Sequence, residues 1–155
     1  MKVFWLVLVL MISAYCQAEE VTKSSDPVAV FKASGAFEDV VENVKLAIEA
    51  RGMLVSGILH VSDMLNRTGP DLGFRPEFEQ AESVEFCSAL ISHKMTQVSP
   101  ENMAICPFTI SVYVRVAEPD LVYVAYRRQH LAGEAAAVTD EINALFNGIV
   151  EESIE

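Results

Sequence analysis

Basic residues are scarce in this chain of 155 residues: 11 lysines and arginines stand against 22 aspartates and glutamates, a formal net charge of −11. Nucleic acids and anionic lipid headgroups both select basic patches, so this balance argues against either as a partner. The excess acid otherwise serves solubility. Phosphate-cradling glycine loops, nucleotide fingerprints and a serine–histidine–aspartate arrangement are all missing. Asp63 and Asp71, near His60, read as cap and turn residues rather than as members of such a triad. There is no internal repeat and no low-complexity tract, and the length suits one domain with a real core. Nothing in this inventory points to an enzyme.

Long apolar runs are also few. Val3 to Ile12 is apolar over about ten residues, short of the ~20 that a spanning helix needs. Lys2 precedes it and the small, polar stretch Ser13 to Ala18 follows, which is the pattern of an export signal. Cleavage after Ala18 leaves residues 19–27 as a polar, flexible lead-in to a single domain over residues 28–155. The expected location is periplasmic or secreted, with no membrane anchor once the leader is removed. Cys16 invites a lipid-attachment reading, but Tyr15 before it is large where such sites want a small residue. The same cleavage discards Cys16 and leaves an even pair, Cys87 and Cys106.

The rest of the chain alternates between two periodicities. Val28 to Lys32 is a short β-like run. Phe37, Val40, Val41, Val44 and Ile48 share one helical face, opposite Glu38, Asp39, Glu42 and Glu49. Arg51 and Gly52 end that helix as a basic last turn and a C-terminal glycine do. Met53 to Val61 is apolar on both parities and predicts a strand covered on both faces. Ser62 and Asp63 open a short helix that the Thr68–Gly73 turn residues finish, and Phe74 to Ala81 reads as loop. Val84 to Cys87 is a strand. Ser88 to Val98 is a helix with Ile91, Met95 and Val98 inward, and Ser99 and Pro100 start one more turn.

From Cys106 the chain alternates cleanly. Phe108, Ile110, Val112, Val114 and Val116 fall on one side, with Thr109, Ser111, Tyr113 and Arg115 on the other. Glu118, Pro119 and Asp120 predict the turn, and Leu121 to Arg128 the return strand of a β-hairpin. A last amphipathic helix follows Gly133, with Val138, Ile142, Leu145, Phe146 and Ile149 inward. Two long helices with one apolar face each need one sheet face to cover. The expected fold class is therefore α+β, a two-layer sandwich.

Few residues carry chemistry. Cys87 and Cys106 have three readings: small core hydrophobes, one structural disulfide, or reactive thiols for redox or metal handling. A helix between their strands has the look of a crossover joining parallel strands, which sets the two cysteines far apart. Neighbouring antiparallel strands would bring them together. His60, His93 and Met95 add soft ligands for copper or zinc, the only cofactor class these residues suggest, although their spacing matches no dedicated site. Tyr113, Tyr123 and Tyr126 with Arg115, Arg127 and Arg128 lie on one hairpin, a composition typical of a binding surface.

The helix from Phe37 to Gly52, the His60–Asp63 segment, Phe86 with Cys87, and Cys106 to Tyr113 together resemble the "domain of unknown function 302" family of small bacterial proteins. The strand Val122 to Arg128 fits as well, and the likeness covers roughly Val28 to Glu152. One departure is that Cys106 precedes Pro107, where many relatives place the cysteine after the proline. The resemblance implies a fold similar to the TATA-binding-protein type, with a mainly antiparallel sheet and two long helices on one face. It also implies pairing as a homodimer, and it implies no reaction. The resulting expectation is an exported, non-catalytic module that binds a small ligand or protein. The alternative is a thiol-dependent redox or metal-handling protein.

Overall fold

The helix from Phe37 to Ala50 (α1) forms because its apolar residues recur every three or four positions. Phe37, Val40, Val41, Val44, Ala47 and Ile48 are all buried along one stripe. It stops where the periodicity stops. Gly52 takes φ 70, which favours glycine, and its N–H donates to the Glu49 carbonyl. The computed structural model that shows this describes residues 19–154. The segment expected to be a leader, and with it Cys16, lies outside the described residues.

Five strands make one wholly antiparallel sheet: Val28–Ala33 (β1), Leu54–His60 (β2), Phe78–Cys87 (β3), Phe108–Arg115 (β4) and Glu118–Arg127 (β5). Their spatial order is β1-β5-β4-β3-β2. Three further helices, Val61–Leu72 (α2), Ala89–Val98 (α3) and Ala136–Ile154 (α4), complete the described chain. Helices α1 and α4 pack against each other and against one face of the sheet, giving the expected α+β two-layer sandwich. Between the layers Phe86, Phe108 and Phe146 stand with ring centroids 5.6 Å apart in every pairing. Each is almost fully buried, which contributes roughly 1.5–3 kcal/mol per ring.

The structure revises several expectations. Strand β2 is an edge strand, not one covered on both faces, and Leu54 and Leu59 are 73% and 50% exposed. Its apolar residues at both parities resemble the signature of a buried strand, but only one face of the sheet has helices over it. Helix α2 runs through Gly69 and Pro70 to Leu72, and only then does Gly73, at φ 78, end it. Strand β3 begins at Phe78, inside the stretch expected to be loop.

The hairpin turn is Val116 and Ala117. Glu118, Pro119 and Asp120 already belong to β5, and Val116 is exposed at the turn rather than facing the core. Pro119 is tolerated there because the β1 ladder reaches only Val122 to Arg127, so no partner strand needs its missing N–H. Helix α3 is not a crossover. Strands β3 and β4 are antiparallel neighbours, and α3 with the tight 3₁₀ turn Pro100–Ile105 loops out and returns at the same end.

The two sheet edges differ. Glu20 bridges to Phe31, Val21 donates to the Val30 carbonyl, and Val30 donates to the Thr22 hydroxyl. The polar lead-in is thus fastened along the outer side of β1. The outer side of β2 has no such cover among the described residues.

Candidate functional site

The sheet face turned away from α1 and α4 is built from alternate residues of each strand. Across its middle, Ser83 pairs with Ser111 and Ser111 with Ala125, a row of small side chains. The next row is Ala81, Tyr113 and Tyr123. A small row beside a large one leaves a trough of about 350 Å³. Its floor is Ser83, Ser111 and Ala125, and its walls include Tyr113, Arg115, Phe78 and Val61. The two serine hydroxyls on the floor bond each other at 2.8 Å.

The large row is locked in place. Tyr113 and Tyr123 stack with centroids 5.3 Å apart at 13°, and Phe78 meets Tyr113 edge-on at 5.4 Å. The Arg115 guanidinium lies over the Tyr123 ring, 4.4 Å from its centre. Glu118 accepts from both the Tyr123 hydroxyl, at 2.9 Å, and Arg115 Nη1, at 3.1 Å. A bulge delivers that carboxylate. Arg115 pairs with Glu118 and Val114 with Val122, so Pro119 to Leu121 are extra on β5 and swing Glu118 towards Tyr123. The Tyr123 hydroxyl, and after it Arg115, holds the Glu118 carboxyl below the usual carboxylate range. Burial, then Glu118, pushes the Tyr123 phenol up.

Of the six tyrosines and arginines expected on this surface, Tyr113, Arg115 and Tyr123 come together. Tyr126 does not. It lies on the opposite face, stacked on Phe146 at 4.8 Å, with its hydroxyl donating to Asn147 Oδ1. Burial raises its phenol. Arg127 is exposed at the far end of β5, and Arg128 turns away to Glu20 and to the Asp26 carbonyl. Spacing placed all six on one hairpin; the period-2 alternation sets Tyr126 apart, and distance along β5 sets Arg127 apart. Ser83, Ser111 and Ala125 were missed because small residues on a strand carry no composition signal.

The thiols form a second site. Cys87 ends β3, and Cys106 closes the 3₁₀ turn just ahead of β4, joined to Pro107 by a cis peptide. Phe86 pairs with Phe108, so both cysteines lie at one end of the same ladder. Both thiols are free and half-buried. Ser92, one turn into α3, places its hydroxyl 3.2 Å from the Cys106 sulfur. Burial, then the nearby Cys106 sulfur and the Glu85 carboxylate, pushes the Cys87 thiol up.

The other soft residues lie elsewhere. His60 pairs with Glu82 and Leu54 with Cys87, so His60 sits at the opposite end of the β2–β3 ladder, roughly 16 Å along it. Its Nδ1 is 2.8 Å from Glu82 Oε1. His93 is exposed on α3, whereas Met95 is fully buried in the core. Among the described residues no three His, Cys, Asp or Glu side chains cluster as a metal cage, and no helix is long and apolar enough to cross a membrane.

An antiparallel sheet with two long helices on one face and an uncovered trough on the other defines the class, an open-faced α+β sandwich. The chain belongs to the family described as "Domain of unknown function DUF302", whose model matches residues 30–151. Its fold is similar to the crystal structure of an uncharacterized conserved DUF302 protein from Bacillus stearothermophilus. That likeness has a TM-score of 0.64 at 11% identity and covers 83% of this chain and 98% of the other. No curated protein matches the chain.

Proposed function

We propose that this chain is an exported binding module that takes a small ligand with a flat, apolar body into the trough on its open sheet face. The observation that carries this reading is the trough itself. A hollow of about 350 Å³, floored by Ser83, Ser111 and Ala125, is walled by an aromatic ring and a guanidinium already fixed in place. Pre-fixed walls reduce the ordering cost of binding. Tyr113 offers a ring to stack on, the serines offer hydroxyls, and Arg115 favours an acidic group at the rim.

The test is a titration with small aromatic carboxylates followed by amide chemical shifts. Shifts centred on Ser83, Ser111, Tyr113 and Ala125, abolished by Ser111→Phe, support the site. Binding that survives Ser111→Phe in a folded protein overturns it.

A second copy of the chain is the partner that the sheet edges favour. The lead-in covers the β1 edge, and the bare β2 edge presents exposed Leu54 and Leu59. The hairpin β4–β5 is central in the sheet, so it contributes its face to a ligand and no edge to a partner.

A further inference from the structure

We propose that Cys87 and Cys106 are a redox pair, which closes to an intramolecular disulfide by exchange with a low-molecular-weight disulfide and reopens with thiol. Three geometric facts carry this inference. Antiparallel pairing of β3 with β4 brings both cysteines to one end of the ladder, beyond the Phe86–Phe108 pair. Both are free and half-buried, so solvent-borne reagents reach them. The Ser92 hydroxyl stands 3.2 Å from the Cys106 sulfur, where it can donate to a thiolate. A pair of purely structural core cysteines needs neither the access nor the hydroxyl.

The environment also divides the roles. The Cys87 thiol is pushed up by burial and by its neighbours, and among the described residues no hydroxyl stands at its sulfur as Ser92 does at that of Cys106. The first attack belongs to Cys106, because the Ser92 hydroxyl stands 3.2 Å from its sulfur to stabilise the attacking thiolate. Its thiolate attacks one sulfur of the external disulfide. That sulfur–sulfur bond breaks, one external thiolate leaves and takes up the proton Cys106 gave, and a mixed disulfide remains on Cys106. The Cys87 thiol then gives its proton to solvent and attacks the Cys106 sulfur, releasing the second external thiol. In balance, two protein thiols are oxidised to one disulfide and one external disulfide is reduced to two thiols.

The probe is glutathione disulfide, applied to protein carrying Cys16→Ser so that only this pair is counted. Acid quenching, maleimide labelling and intact mass then report the state of both sulfurs. The expected product binds no maleimide and no glutathione, and dithiothreitol restores two labels. Cys87→Ser stops at a single glutathione adduct on Cys106. Cys106→Ser forms its adduct roughly tenfold more slowly at neutral pH, a gap that narrows as the pH rises. Two persistent adducts, or two thiols left unreacted, overturn the pair. Faster reaction of Cys106→Ser than of Cys87→Ser overturns the assignment of the attacking sulfur. Circular dichroism of each variant confirms that the fold is intact, and Ser92→Ala, which leaves both cysteines in place, slows the first step without removing it.

Discussion

Asn102 holds both backbone polar groups of Ala132. Its Oδ1 accepts from the Ala132 N–H at 2.8 Å, and its Nδ2 donates to the Ala132 carbonyl at 3.2 Å. The same Nδ2 also donates to the Met95 carbonyl at 2.9 Å. One buried amide thereby ties the end of α3 to the loop before α4, across thirty residues of chain.

Asn102→Ala removes these three hydrogen bonds; Ala132 is exposed, so water can pair its groups, and the Met95 carbonyl keeps the Ser99 N–H, which leaves about 0.5–1.5 kcal/mol for each bond lost. The expected loss is about 2–4 kcal/mol of stability, measured by urea unfolding. A change below 0.5 kcal/mol (roughly the noise of a surface substitution) would show that the loop holds without it.

Stability should also fall in acid through Glu118. Its carboxyl is held below the usual carboxylate range in the folded protein. A depressed carboxyl contributes stability that is present above its unfolded pKa and is lost as the pH falls through the folded one. Glu118→Gln should therefore flatten part of the decline in melting temperature as the pH falls below the ordinary glutamate pKa of about 4.3. The group is exposed, so the effect is small and shrinks further in high salt. An identical acid profile in the variant would remove Glu118 from the balance.

Tyr126 belongs to the core, and substitutions should treat it as such. Tyr126→Phe keeps the stack on Phe146 and loses only the bond to Asn147, at about 1 kcal/mol. Tyr126→Ser empties a ring-sized space and should cost about 3–5 kcal/mol. Neither should alter ligand shifts at Ser111 while the fold persists. A specific loss of binding in Tyr126→Phe would contradict its placement.

Pairing through β2 makes a prediction for molar mass. Light scattering should give twice the chain mass, and Leu59→Lys, on the exposed edge, should return the monomer. A wild-type monomer at tens of micromolar, or a dimer indifferent to Leu59→Lys and Leu54→Lys together, would place any interface elsewhere.

What the sequence made legible follows from how many residues share each signal. Helix α1 and strand β4 repeat their periods over many positions, and both were readable from apolar spacing alone. The turn was misplaced because proline and acidic residues favour turns by propensity, whereas Pro119 sits in an unpaired stretch of strand. The beginning of β3 was hidden because Glu79, Gln80 and Glu82 interrupt the alternation; Gln80 bonds to Glu38, and Glu82 lies close to His60. Tyr113, Arg115 and Tyr123 announced themselves by type. The floor of the trough, like the reach of Ser92 towards Cys106, depends on register between strands and on helix placement, which no local window contains.

The order of the strands has a consequence for the birth of the molecule. Strand β1 is synthesised first, yet its partner β5 lies about ninety residues later, and α1 then carries the chain to the opposite edge of the sheet. Strands β2 to β5 are assembled by neighbour-to-neighbour pairing, so a growing chain can zip that meander as it emerges. The opening strand must wait, unpaired, until the closing one arrives. That delay ties commitment to the native state to near-completion of the polypeptide.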